Sequence, residues 1–530
     1  MKQPMIFLCL TTSALIAAPV VAAEHKSVTF AKHIAPVIHS KCTNCHREGQ
    51  PGPFELMTYK DVRNRAETIQ AVVHDKYMPP WKPVSDDVEY ANDRRLTPEE
   101  QKLIDAWVDA GMPPGDLKSI KPPKYSSGWA LGEPDLVLKM NGRFAVPASG
   151  PDVYRSFVFP VAFKEDKWVK AVELRPAARG AVHHALFFVD TSGEARKRDG
   201  EDGKTGVSGM SFLRPGRQNG SQRGSQGSFG VSGLGGYVPG AMPNKLPGDL
   251  AMLLPKGGDI VMQTHFHPSG KPEWEQAELA LYFADKPPSK ELVAIQLPPL
   301  FGRFSGLDVP AGEKDYAISQ SFRLPVDVEA VQIGGHAHYI CREMELHATL
   351  PDGEKLDLLT IDDWDLDWQD QYQYSNPISL PAGTKLDARL LYDNSADNPK
   401  NPHSPPKRIQ WGRESTDEMG SLTLQVVAVR NSDTPILQRA TRELLVSSAR
   451  NGIANRAGQI RGNARNGLGR MLVSDRAIQA MDRNKDGKIE ESEVPERLRE
   501  RVFDYADKDR NGVIDQDEIK QAKSALGGGQ

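Results

Sequence analysis

The chain has 530 residues, too long for one hydrophobic core, so roughly two to four domains are expected. A formal net charge of −4 gives no electrostatic basis for a nucleic-acid partner. With 46 glycines, 40 prolines and only 4 cysteines, the composition argues against a helical bundle and against a disulfide framework.

The chain opens MKQPMIFLCLTTSALIAAPVVAAEHK. One lysine precedes an apolar run and then small residues, with Val21 and Ala23 at a −3/−1 cleavage position. This reads as a secretory signal peptide over residues 1–23, so the mature protein is expected to be periplasmic or secreted. No later segment reaches the roughly 18 apolar residues that a membrane helix needs, so no span is expected in the mature chain. Cys9 falls in the removed segment, leaving Cys42, Cys45 and Cys341.

Residues 24–115 read as helical. The last stretch, TPEEQKLIDAWVDAG, has Thr97 as a predicted N-cap, Glu100 three residues on, and Gly111 as a stop. Within this region KCTNCHREG places Cys42, Cys45 and His46 as C-x-x-C-H, the attachment motif of haem c. The thiols add to the haem vinyls and the histidine becomes the proximal iron ligand. A redox C-x-x-C is the rival reading. The sixth ligand is expected from Met78 in KYMPPW, where prolines stiffen the loop, with His74 in reserve. The region resembles a small cytochrome c domain. A thioether ligand there implies electron transfer, not oxygen chemistry, at the iron.

A Pro/Lys/Ser/Gly linker is expected over 116–133. From 134 to 430, short apolar runs alternate with Pro- and Gly-rich turns, the pattern of antiparallel β-sandwiches, and the span suffices for two, over 134–290 and 291–430. Residues 197–236, rich in Gly, Ser and charge, read as a mobile surface loop. Six of the 13 histidines fall into three clusters: His183 with His184, His265 with His267, and His336 with His338. Strand residues two apart share a face, so GGHAH can present two imidazoles to one point. Such groups suit copper, zinc or iron; the lack of a carboxylate within them weakens an iron facial triad. Spacing does not choose between His265 and His267.

The segments AVHHALFF, LPKGGDIVMQTHF, GGHAH and STDEMGSL resemble, in order, the copper-ligand segments of the copper type II ascorbate-dependent monooxygenases, over roughly residues 134–430. The resemblance implies two packed β-sandwiches, each carrying one copper, facing across an open, wet cleft. It implies that His183, His184 and His265 hold an electron-storing copper, with a local irregularity turning the adjacent pair to one side. It implies that His336, His338 and Met419 hold the copper that activates O₂, with C–H hydroxylation of a small substrate as the outcome. Ascorbate or a redox protein is the implied electron donor, and the fused haem segment is expected to relay electrons. The peptide-amidating members grip a substrate carboxylate with arginine, asparagine and tyrosine at positions matched here by Gly334, Ser421 and Thr423. None can make a bidentate grip, so a glycine-extended peptide is not the expected substrate.

Residues 431–474 carry scattered arginines and read as a solvated linker. Over 475–525 two calcium loops follow in tandem. In DRNKDGKIEESE, Asp482, Asn484, Asp486, Lys488 (backbone carbonyl), Glu490 and Glu493 stand at positions 1, 3, 5, 7, 9 and 12. In DKDRNGVIDQDE the set is Asp507, Asp509, Asn511, Val513, Asp515 and Glu518. Gly487 and Gly512 supply the sharp turns. The fold class expected is multidomain: a small all-α cytochrome c domain, two all-β, jelly-roll-like sandwiches and an α-helical EF-hand pair. The function expected is an exported copper-dependent monooxygenase with two coppers, one haem c and two calcium ions. A non-catalytic copper and haem electron-transfer protein is the alternative, and a calcium-dependent binding module a second one.

Overall fold

The computed structural model describes residues 28–527, apart from 49, 51, 92, 122, 126–127, 210–232, 240–242, 413 and 473–474. The expected signal peptide lies outside the described residues. The chain divides into two compact units, one holding Asn92–Pro134 and the residues up to Trp81, the other Lys82–Ala91, Asp135–Val238 and the chain from Pro243 onward.

The first unit is built on short helices at Ala35–Lys41, Tyr59–Arg63, Ala66–His74 and Pro98–Asp109. The last begins where the sequence predicts: the Thr97 hydroxyl accepts from Glu100 N–H, the Glu100 carboxylate accepts from Thr97 N–H, and Pro98 occupies the first turn. Such a box is worth about 1 kcal/mol. Its inner face buries Ile104 and Trp107 against Phe30, Ile34, Ile38 and Val62.

The second unit is mostly β. Among the described residues its strands form three four-stranded sheets, one five-stranded sheet and three two-stranded ribbons. The five-stranded sheet has Val153–Phe159, Asp259–Phe266 and Val182–Asp190 at its centre. A four-stranded sheet runs in the order Leu292–Leu297, Gly420–Ala428, Val328–Ala337, Gln371–Leu380. Alternation sets the inward face of each strand. Phe157, Phe187, Met262 and Phe266 of the first sheet all lie in one core cluster.

The expected fold class is corrected on these observations. The helical stretch 24–115 does not close into an all-α cytochrome domain. Its extended segment 82–91 belongs to the β-rich unit, where Val84 N–H donates to Thr360 O (2.9 Å), Ala91 N–H to Gln373 O (2.7 Å) and Ser375 N–H to Glu89 O (2.8 Å). The Pro-rich run MPPWKPV cannot continue a helix, and its neighbours satisfy their backbone groups on strands far along the chain. Asp135–Val238 and the chain from Pro243 onward, the two calcium loops included, fall within the second unit.

Two further expectations change. Strands at Val207–Ser208 and Gly233–Tyr237 lie within the expected 197–236 loop, of which 210–232 fall outside the described residues. The expected linker 431–474 is instead a helix, Thr434–Leu472. Its Ala, Arg, Leu and Gln content favours helix, and Leu437 is fully buried at its first turn. Among the described residues no helix is long and apolar enough to cross a membrane.

Candidate metal centre

His183 and His184 are adjacent, and a regular strand would send them to opposite faces. The pairing with Asp259–Phe266 shifts register here: Val182 opposes Phe266 and His184 opposes His265, leaving His183 as the extra residue of a bulge. A bulge redirects a side chain by inserting one residue. All three imidazoles consequently converge, with one ring nitrogen of each within 4.8 Å of the others.

Hydrogen bonds fix which nitrogens those are. Asp367 Oδ1 lies 2.7 Å from His183 Nε2, and Asp152 Oδ2 lies 2.8 Å from His265 Nε2. A carboxylate only accepts, so both Nε2 atoms carry the proton and both Nδ1 atoms are bare. His265 Nδ1 is buried with no hydrogen-bond partner. His183 Nδ1 faces His184 Nδ1 at 3.1 Å. Tyr154 stacks on His265 at 4.3 Å and reaches Ser415, which donates to Asp152 at 2.7 Å.

The choice between His265 and His267 is made by burial. His265 is 1% exposed and its ring lies 4.7 Å and 4.9 Å from those of His183 and His184. His267 is exposed, and its Nδ1 donates to the other oxygen of Asp152 at 2.8 Å. His267 therefore supports the carboxylate that orients His265.

On the neighbouring strands, His336 Nε2 lies 3.2 Å from Met419 Sδ. His336 Nδ1 is held by Gln369 Oε1 at 2.6 Å, and His338 Nδ1 by the carbonyl of Asp417 at 3.2 Å. Both histidines thus present Nε2. Burial pushes His336 down to about 4 and His338 to about 3, so both are neutral at pH 7. Burial likewise lowers His184 and His265. Buried Glu418 ties the two ligand segments together: its Oε1 accepts from the amides of His338 (2.6 Å) and Met419 (2.8 Å), its Oε2 from Ile340 (3.2 Å).

The two ligand sets adjoin within this unit, where the resemblance implied that they face across an open, wet cleft. The rings of His184 and His336 are 6.2 Å apart, and those of His336 and His338 5.5 Å, so the five imidazoles form one continuous series. Gly334, Ser421 and Thr423 lie on the paired strands beside it, and Ser421 is buried with its hydroxyl unpartnered. Cys341 is a buried free thiol pushed up by desolvation, not a member of the cluster. Asp152, Asp367, Gln369 and Glu418 carry no motif that sequence reading could have found; only Glu418 stood beside a predicted ligand.

The donor sets fit a soft or borderline metal. Bare nitrogens and a thioether facing one another in a buried space are favourable only with a cation between them.

In the first unit, His46 Nδ1 rests on the Phe54 carbonyl at 3.0 Å, which leaves Nε2 bare. A Cβ at Gly52 would meet Cys45 O at 2.7 Å and His46 Nδ1 at 2.8 Å, so this turn closes tightly on the motif. Desolvation, with Cys45 and Glu100 nearby, pushes Cys42 up to about 12, against a redox-active thiolate. Both ring nitrogens of His74 are engaged, by Asp105 at 2.9 Å and Gln101 at 3.1 Å, so Cys42, Cys45 and His46 are the donors this segment brings together. These residues fit haem c.

In the C-terminal loops, Asp482 Oδ2 accepts from Gly487 N–H at 3.1 Å, while its Oδ1 is buried and unpartnered. Gly487 and Gly512 sit at φ 81° and 82°, the left-handed turn these loops need. Oxygens of Asp507, Asp509 and Glu518 lie within 4.8 Å of one another. The ribbon Ile489–Glu490 with Val513–Ile514 joins the two loops.

Residues 475–494 and 498–522 match the EF-hand family, the calcium-binding helix–loop–helix. A comparison with curated proteins finds no match. Among solved structures the chain is similar to PNGF-II, at 11% identity over 55% of this chain and 65% of that one, with a TM-score of 0.25. It is similar to a peptide-N(4)-(N-acetyl-β-D-glucosaminyl)asparagine amidase at 10% identity over 56% of this chain and 97% of that one, with a TM-score of 0.24. Scores this low do not establish a shared fold.

Proposed function

We propose that the chain is an exported copper-dependent monooxygenase that hydroxylates a C–H bond of a small substrate. The observation that carries the reading is the convergence of bare imidazole nitrogens and one thioether on two adjoining points: Nδ1 of His183 and His265 with His184, and Nε2 of His336 with Met419 Sδ. Overall, substrate, O₂, two electrons and two protons give an alcohol and water. Bound copper would supply the one-electron chemistry and the reaction with O₂. His336, His338 and Met419 would hold the copper open to O₂; three protein ligands leave a position free, and the thioether favours the reduced metal. His183, His184 and His265 would hold the copper that stores the second electron. Burial keeps His336 and His338 unprotonated, so metal need not displace a proton from them at neutral pH.

Cys42, Cys45 and His46, with Met78, would carry haem c, passing electrons from ascorbate or a redox protein toward the coppers. The two loops at 482–493 and 507–518 would each hold one calcium ion.

The test is an infrared titration of the copper-loaded, dithionite-reduced protein with carbon monoxide. One CO per two coppers, lost in Met419→Ala, is the expected result. Two coppers without any copper-bound CO would mean closed sites and an electron-transfer protein. Cys42→Ser with Cys45→Ser should lose covalent haem; unchanged turnover with a protein electron donor would rule out the relay.

A further inference from the structure

Between the two ligand sets lies a short segment that no motif marks. Leu366–Trp368 forms a single 3-10 turn, capped by the Asp365 carboxylate accepting from Asp367 N–H. From this turn Asp367 reaches His183 Nε2 at 2.7 Å. Two residues on, Gln369 reaches both sets: Oε1 to His336 Nδ1 at 2.6 Å, and Nε2 to His184 Nδ1 at 3.4 Å.

The orientation of the Gln369 amide is decided by a third contact. Its Nε2 lies 3.2 Å from the carbonyl of Leu366, which can only accept. The nitrogen therefore faces Leu366 and His184, and the oxygen faces His336. An amide oxygen cannot donate, so His336 Nδ1 must carry the proton, which strips Nε2 and points its lone pair at Met419 Sδ, 3.2 Å away. Free imidazole favours the opposite tautomer, with the proton on Nε2. That form would leave no donor for Gln369 Oε1 and would put an N–H where the metal must bind.

We infer that Gln369 is a positioning residue that fixes the tautomer of His336 and ties it to His184, so that one side chain orders both halves of the centre. The inference rests on the proposed metal function for its purpose, yet the tautomer lock belongs to the metal-free protein and is measurable there. A half-buried amide making three hydrogen bonds loses conformational freedom, and side chains that hydrogen-bond a ligand in this way set its orientation and the metal affinity. Asp367 works on His183 alone; Gln369 is the member of the segment that touches both sets.

The experiment uses the full chain with ¹⁵N-labelled histidine. Long-range ¹H–¹⁵N correlations report which ring nitrogen is protonated. In the metal-free wild type, His336 should appear as the Nδ1–H tautomer. Gln369→Met keeps the packing volume but not the acceptor, and should move His336 toward Nε2–H. Gln369→Glu restores an acceptor and should restore Nδ1–H. If His336 keeps Nδ1–H in Gln369→Met, the lock is not Gln369 and the inference fails, whatever the copper result. A second readout follows loading with copper(II). The electron paramagnetic resonance parameters of both sites should shift in Gln369→Met, and of the His183 site alone in Asp367→Asn. A Gln369→Met spectrum altered at one site only would overturn the bridge. Failure of the wild type to bind copper would remove the proposed function while leaving the tautomer result to stand or fall by itself.

Discussion

Asp152 is the residue whose replacement tests the geometry of the centre most directly. It is not a metal ligand, yet Oδ2 takes His265 Nε2 at 2.8 Å and Ser415 Oγ at 2.7 Å, while Oδ1 takes His267 Nδ1 at 2.8 Å. Burial alone would raise its pKa, but the hydrogen bonds from His265, Ser415 and His267 outweigh that and hold the carboxyl well below its usual range. Asp152→Asn can turn its remaining oxygen toward His265 and Ser415, losing the exposed His267 contact and the charge. Asp152→Ala removes all three bonds and frees His265 to adopt the other tautomer. Losing a hydrogen bond that orients a ligand histidine lowers metal affinity roughly 10- to 100-fold, or about 1.4 to 2.7 kcal/mol. Asp152→Asn should fall near the lower end and Asp152→Ala near the upper. The assay is competition for copper against a chelator of known affinity, with thermal unfolding followed in parallel to confirm a folded protein. His267→Ala is the control and should change affinity less than about threefold, because His267 acts only through Asp152, whereas His265→Ala should remove one copper. A folded Asp152→Ala protein with wild-type affinity, or a large loss in His267→Ala, would refute the placement of His265 at the metal.

Glu275 should make stability fall with rising pH. It is fully buried, and burial, opposed by bonds from the amides of Ala178 (2.8 Å) and Ala177 (3.2 Å), raises it from 4.5 to about 7. A group that binds its proton more tightly when folded stabilises below the unfolded pKa and loses that contribution as pH rises through the folded one. Urea unfolding between pH 4.5 and 7 should show a decline of roughly 3 kcal/mol that Glu275→Gln largely removes. Calcium should raise the unfolding temperature of the C-terminal loops, by about 2.7 kcal/mol of stabilisation at a hundredfold excess over Kd. Glu493→Gln together with Glu518→Gln should abolish that response in calorimetry, and a retained calcium shift would exclude the loops as its source. Gly420→Ala should destabilise by about 1 to 3 kcal/mol, because its Cβ would strike the Tyr392 hydroxyl and Leu390 beside Met419; an unchanged denaturation midpoint would contradict that packing.

The sequence by itself determined the local motifs. C-x-x-C-H, the two twelve-residue calcium loops and the His-x-His pair are set by covalent spacing, and the Thr97–Glu100 cap needs only one turn of helix. Strand alternation over 134–430 likewise reports a β-rich region without its pairing. What the spacing could not decide were contacts between residues far apart in the chain. The bulge that turns His183 beside His184 exists only against the facing strand. His265 prevails over His267 because the sheet buries one and leaves the other in water. Asp152, Asp367 and Gln369 join the centre from segments 113, 184 and 33 residues away from His265, His183 and His336. The segment 82–91 leaves its helical neighbours for the same reason. Buried backbone and side-chain polar groups must find partners wherever packing supplies them, and packing, unlike spacing, is a property of the whole folded chain.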